Sequence, residues 1–72
     1  MIILVKSTRI DMDKIVAYNP VNDNSGNARF VTTTGKSFKV YAGPNGRDDA
    51  VVMCQKILNL EREDTKKEFK QI

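Results

Sequence analysis

Histidine is absent from this 72-residue sequence, and cysteine occurs only once. Without histidine, the chain has no imidazole to act as a general base near neutral pH or to activate a serine or cysteine nucleophile. A lone cysteine, Cys54, can form neither an internal disulfide nor a cysteine-based zinc site. The sequence therefore predicts a protein that is not an enzyme and that has no catalytic, cofactor-binding or metal-binding residues.

Long apolar segments are missing as well. The longest apolar run is Ile2–Val5, whereas a membrane-spanning helix needs roughly 18 consecutive apolar residues and the core of a secretory signal is also longer. We therefore expect a cytoplasmic protein that does not associate with membranes and that keeps Cys54 reduced.

The chain is short and mildly basic, with a net charge of +3. The whole positive excess lies in residues 1–46, because residues 47–72 contain six basic and six acidic residues. A domain of this size buries only about 60 % of the surface of its unfolded chain. This thin core, together with the unusually apolar Ile2–Val5 segment, favours a homodimer.

Strand patterns fill the first part of the chain. Ile2–Val5 is a continuous apolar run, which indicates a strand that is buried on both faces or central in its sheet, and polar residues 6–10 continue it. Asp11–Lys14 is typical of a turn. The second strand, Ile15–Tyr18, ends before Pro20, which cannot donate a hydrogen bond to a neighbouring strand.

A β-hairpin is expected from residues 28–32 and 37–41. A three-residue loop, 33–35, with Gly35 in the left-handed conformation, pairs Phe30 with Phe38 and places apolar residues on one face. The opposite face then carries Arg29, Val31, Lys39 and Tyr41.

A helix follows the hairpin. It opens at Arg47–Asp49, and apolar residues from Ala50 to Leu58 recur at helical spacing. The predicted fold is α+β: one small antiparallel sheet of four strands, in the order β-β-β-β-α, with the C-terminal helix packed on one face. Residues 1–61 form this single domain, and the charged residues 62–72 either extend the helix or fray.

The best binding signal is the outer hairpin face, with Arg29, Val31, Lys39 and Tyr41 as candidate macromolecule-binding residues and Arg9 as an extension. Cations with an aromatic ring on an open sheet are typical of single-strand nucleic-acid binders. Val31 and Tyr41 equally suit the centre of a protein interface. An ordinary solvated sheet face is the third interpretation.

The remaining motifs favour structural roles. Asp11 and Asp13 lack the further ligands of a Ca²⁺ loop, so they are expected to cap a turn. The segment around Asp23 is oxygen-rich but is typical of a solvated loop. Residues 34–37 resemble the end of a phosphate-binding loop, yet they lie between two strands and lack its first glycine. Cys54 lies on the apolar stripe of the helix and is expected to be a buried, inert thiol.

Three segments resemble the FlbD-type group of small bacterial and phage proteins: Ile10–Val16, Phe30–Val40 and Asp48–Ala50. The resemblance spans roughly residues 1–58, and the matching motifs are turn and core residues. It implies a compact β fold of a kind found on mobile elements, and it supplies no catalytic residue. The polar loop 22–27 and the charged tail depart from that group.

These observations predict a non-enzymatic interaction or regulatory module that binds a protein partner, encoded by a phage or mobile element. The alternative is a nucleic-acid-binding protein that uses the basic sheet face. The two differ in salt dependence, because phosphate contacts weaken steeply as salt rises.

Overall fold

The computed structural model describes residues 1–64. In this part of the chain, five strands precede one helix: β1 (Ile2–Val5), β2 (Thr8–Asp11), β3 (Ile15–Pro20), β4 (Asn27–Thr32), β5 (Ser37–Tyr41) and α1 (Arg47–Asp64). A single turn of 3₁₀ helix, Met12–Lys14, joins β2 to β3. The strands form two antiparallel sheets, β1-β2 and β3-β4-β5. The α+β class is confirmed.

The prediction of four strands in one sheet is wrong in detail. Residues 6–10 do not continue the first strand, because the chain reverses at Lys6 and Ser7 and Thr8 pairs with Val5. Lys6 adopts a positive φ of 53°, as such a tight hairpin turn requires. The sequence lacks glycine or asparagine at this turn, so the usual hairpin signal is missing.

The burial expected for Ile2–Val5 is also wrong. Ile3 and Val5 are buried, but Ile2 and Leu4 on the opposite face are each 68 % exposed. The two-stranded sheet therefore covers the core with one face only, as antiparallel sheets commonly do.

The predicted hairpin of β4 and β5 is confirmed in its register. Phe30 pairs with Phe38 and Ala28 pairs with Val40. Gly35 has a φ of 86°, and its amide donates to the Thr32 carbonyl at 2.9 Å, which closes the three-residue loop. Strand β3 adds on the other side of β4, with a bulge near its start.

The core lies between the inner face of this sheet and α1. Phe30 is fully buried and stacks between Tyr18 and Phe38, with ring centroids 6.0 and 5.5 Å away. The predicted helical stripe is confirmed, since Ala50, Cys54 and Ile57 are all buried. The largest fully buried side chains that the structure describes are Phe30 of the sheet, Met12 of the 3₁₀ turn and Cys54 of the helix.

The helix begins at Arg47, as predicted, and the Asp49 carboxylate reaches back to accept from the Asn45 amide at 2.8 Å. Acidic residues in the first turn also suit the positive end of the helix dipole. Helix α1 continues to Asp64, past the domain boundary expected at residue 61. The rest of the predicted C-terminal extension, residues 65–72, lies outside the described residues.

Candidate macromolecule-binding face

Strands β4 and β5 position four of the predicted binding residues on one surface. Their register places Arg29 directly opposite Lys39, and Tyr41 follows two residues after Lys39 on the same side. Val31 lies two residues after Arg29, also on that side. We call this surface the outer face and define it by Arg29, Val31, Lys39 and Tyr41.

The outer face is open to solvent. Arg29 and Lys39 are exposed, Val31 is partly buried, and Tyr41 is 51 % exposed. Among the side chains that the structure describes, those of residues 1–60, neither cation forms an ion pair with a carboxylate. Adjacent residues on antiparallel strands have Cβ atoms about 4.5–5.5 Å apart, so two like charges are held side by side.

One acidic group lies in the neighbourhood of this cation pair. Hydrogen bonds from the hydroxyl and amide of Ser25 lower the pKa of Asp23, and the charge of Lys39 contributes a smaller part of that lowering. Asp23 Oδ1 accepts from the Ser25 amide at 3.0 Å, which keeps the carboxylate within its own loop. The charge of Lys39 is therefore partly compensated, whereas Asp23 does not interact in this way with Arg29.

Tyr41 is held by the backbone of the loop before β4. Gly26 has a φ of 82°, and a Cβ atom at this position would lie 3.1 Å from the Tyr41 ring. The Gly26 carbonyl also accepts from the Ala42 amide at 2.6 Å. This hydrogen bond joins the loop to the chain directly after Tyr41, so the exposed ring extends from a well-anchored backbone.

A small recess borders the outer face at Arg29. It has a volume of about 190 Å³ and is lined by Arg29 together with residues 19–22, which include Asn19 and Asn22. The Asn22 side-chain oxygen accepts from Arg47 Nη1 at 2.8 Å, which fixes its orientation. Carboxamides beside a guanidinium give this recess both hydrogen-bond donors and a positive charge.

Arg9 lies elsewhere. It belongs to β2 and pairs with Leu4 in the separate two-stranded sheet. No strand register connects Arg9 to the outer face, so the structure brings together four of the five candidate residues.

Asp11 caps the turn that the sequence predicts. Its Oδ1 accepts from the Asp13 amide at 3.1 Å, and Asp13 Oδ2 lies 3.1 Å from the Met1 amino group. Both carboxylates therefore have structural partners. Among the described side chains, which end at residue 60, no group of three or more acidic or cysteine residues is arranged to hold a metal ion.

Cys54 is buried in the core, as expected. Burial raises the pKa of its thiol from 9.0 to about 12. The sulfur is therefore protonated at neutral pH, and a protonated, buried thiol is a poor nucleophile.

Sequence reasoning missed a groove between β1 and α1. This groove has a volume of about 450 Å³, and its walls include Leu4, Lys6, Val52, Met53, Lys56 and Leu60. It was missed because Ile2–Val5 suggested a strand with both faces buried. The sequence feature that could have revealed the groove is the apolar pair Val52 and Leu60. Both side chains lie away from the buried side of the helix and so indicate an exposed apolar surface.

No known protein family model matches this chain, and neither a curated protein nor a solved structure matches it. The resemblance to the FlbD-type group therefore stays a prediction.

None of the helical residues between 1 and 64 forms a segment long and apolar enough to cross a membrane.

Proposed function

We propose that this protein is a non-enzymatic interaction module whose outer face binds an acidic segment of a partner protein. The observation that carries the proposal is the pair formed by Arg29 and Lys39, two exposed cations on directly opposite strand positions. The proposed origin on a phage or mobile element rests on the resemblance alone.

The charge arrangement supports an acidic partner. Like charges directly opposite each other on neighbouring strands destabilise a sheet by a few tenths of a kcal/mol to about 1 kcal/mol. Carboxylates of a partner would relieve this repulsion and would bind the Arg29 guanidinium in a bidentate manner. Binding therefore removes an unfavourable interaction that the free protein retains.

The residue types of the outer face support a protein interface as well. Tyrosine and arginine are enriched where proteins bind one another, because each combines a large contact area with hydrogen bonds. Val31 adds apolar surface beside the cations, and the recess at Arg29 adds a concave surface next to them. The exposed Tyr41 ring would pack against the partner at low entropic cost, because a tyrosine side chain has only two rotatable χ angles.

Single-stranded nucleic acid is the second candidate ligand, and the exposed ring of Tyr41 is the observation that favours it. The outer face nevertheless has one aromatic residue and two cations, and Asp23 lies near one of those cations. Single-strand binders typically combine a positively charged groove along the phosphate backbone with aromatic side chains on which successive bases stack. The charge of this face therefore favours the protein partner.

Affinity capture with charge-reversed variants tests the proposal. The wild-type chain and a Lys14→Glu variant should retain the same partner, since Lys14 is exposed but lies in the 3₁₀ turn rather than on the outer face. The double variant Arg29→Glu with Lys39→Glu should lose it. An absorbance spectrum of each eluate distinguishes the ligands. A maximum at 260 nm that a high-salt wash removes would show that the ligand is nucleic acid and not a protein.

A further inference from the structure

We propose that the free edge of β1 pairs with β1 of a second copy of the chain, in antiparallel orientation about a two-fold axis at Leu4. The two small sheets would then join into one continuous four-stranded sheet, β2-β1-β1-β2. This proposal concerns a surface separate from the outer face.

The register of β1 and β2 shows which backbone groups point away from the hairpin. Val5 and Thr8 flank the two-residue turn and Ile3 pairs with Ile10, while the Met12 amide donates to the Met1 carbonyl at 2.8 Å. Bonded pairs alternate with non-bonded pairs in antiparallel strands. The amides and carbonyls of Ile2 and Leu4 therefore point to the other edge, where no strand pairs with β1 in the described chain.

This edge lacks the features that usually prevent strand pairing. Residues 2–5 contain no proline and no charged side chain, and β1 has no bulge. Natural edge strands commonly carry such features because an unprotected edge pairs with other chains. An unprotected apolar edge is expected where pairing is part of the native assembly.

The helix beside this edge also exposes apolar side chains. Val52 and Leu60 face the groove and are 50 % and 45 % exposed. A second copy would bring its own helix next to α1 when the strands pair, because each helix lies beside its own β1. The second copy thus covers both walls of the groove, whereas an added peptide strand would cover the edge of β1 alone.

The sequence of β1 suits a symmetric pairing centred on Leu4. Leu4 would lie opposite Leu4 of the second copy and Ile3 opposite its Val5, while Ile2 would approach Lys6 in the turn of the second copy. The aliphatic part of Lys6 can cover Ile2 while its ammonium group remains in water. Such a contact is isologous and closes after two copies, so it produces a dimer rather than a fibre.

The size of the surface sets the expected affinity. Roughly ten residues of β1 and α1 take part, about half the number that a standard interface uses on each side. The total buried area is then below about 1,200 Å², at the low end of specific interfaces. Interfaces at this low end are typically weak and transient, so we expect a dimer that dissociates in the micromolar range.

Sedimentation equilibrium of the full chain tests this dimer, with Leu4→Lys as the disrupting variant and Val16→Lys as the matched control. Val16 is likewise exposed on a strand, at 43 %, but it does not line the groove. Wild type and Val16→Lys should dimerise equally, and Leu4→Lys should weaken dimerisation at least about tenfold, because two apolar contacts are lost and two like charges face each other across the axis. Circular dichroism confirms that each variant is folded.

A cross-linking experiment tests the register independently. Leu4→Cys should form a covalent dimer with a short bis-maleimide reagent, and Val16→Cys should not; the native Cys54 is buried and does not compete. A wild-type chain that stays monomeric throughout the micromolar range would overturn the proposal. A dimer that Leu4→Lys leaves intact would also overturn the proposal, whether its contact lies on another surface or involves residues 65–72.

Discussion

Arg29 on β4 lies directly opposite Lys39 on β5, and both side chains are exposed to solvent. Neither cation forms an ion pair with any carboxylate of residues 1–60, whose side chains the structure describes. A sheet designed for stability alone would place opposite charges at these two positions. The repulsion between Arg29 and Lys39 is therefore central to the proposed function.

The variant Arg29→Glu should stabilise the isolated protein while it abolishes binding of an acidic partner. The new carboxylate would lie opposite Lys39, and an unlike pair contributes about 0.2–1 kcal/mol to the free energy of unfolding. Urea denaturation measures this gain. The matched control is Arg29→Gln, which removes the charge without creating a pair and should give a smaller gain. A loss of stability in Arg29→Glu relative to Arg29→Gln would contradict the predicted charge interaction.

The aromatic stack at Phe30 should dominate core stability. Phe30 is fully buried between Tyr18 and Phe38, so Phe30→Ala removes a large side chain from a packed environment and should cost about 3–5 kcal/mol. A single core of this size rarely supplies more than about 3–5 kcal/mol in total. We therefore expect Phe30→Ala to be unfolded by circular dichroism. Phe38→Ala should remain folded, because Phe38 is partly exposed, and equal losses in the two variants would argue against this core.

Gly26 and Gly35 have similar positive φ values but different surroundings, so they form a matched pair. A Cβ atom at Gly26 would collide with the Gly43 carbonyl oxygen, whereas nothing lies within 4 Å of a Cβ atom at Gly35. Gly35→Ala should cost only the conformational penalty of about 1–2 kcal/mol. Gly26→Ala should cost clearly more and should shift the Tyr41 ring. Thermal unfolding compares the two, and equal melting temperatures would disprove the close approach of Gly26 and Gly43.

The thiol of Cys54 should make stability fall at alkaline pH. Burial raises its pKa from 9.0 to about 12, so the folded chain holds this proton more tightly than the unfolded chain does. The contribution is complete below pH 9 and is lost as the pH rises towards 12, with a slope of up to about 1.4 kcal/mol per pH unit.

Cys54→Ala is the control for that pH dependence. This variant removes only the thiol, so the difference between the two proteins isolates its contribution. Urea denaturation between pH 8 and about 10.5 should show a steeper decline for the wild type, in the direction that linkage requires. Parallel declines would show that the thiol is not buried as the structure places it.

The elements with strong local patterns could be predicted from the sequence. Alternating residues and Gly35 predict the β4–β5 hairpin in its correct register, and apolar spacing predicts the buried side of α1. Because that register follows from the sequence, the membership of Arg29, Val31, Lys39 and Tyr41 in one face could be predicted too.

The two-sheet arrangement could not be predicted in this way. The turn at Lys6 and Ser7 has neither of the residues that usually adopt positive φ, so residues 6–10 resemble a continuation of β1. A continuous apolar run also does not reveal which face of a strand meets solvent. The exposure of Leu4 and the groove beside α1 depend on how the two sheets pack around the helix, which is a tertiary property.

An NMR titration that follows backbone amides tests the central claim most directly. Oligoglutamate serves as the probe for an acidic protein segment, and oligothymidylate serves as the probe for single-stranded nucleic acid. We predict that oligoglutamate shifts the amide signals of Arg29, Val31, Lys39 and Tyr41, and that the Arg29→Glu variant abolishes these shifts. The claim would be contradicted if oligoglutamate caused no shifts, or if the shifts were equally large at lysines outside the outer face such as Lys14 and Lys56. Shifts with oligothymidylate alone would show that the outer face binds nucleic acid instead of an acidic protein segment.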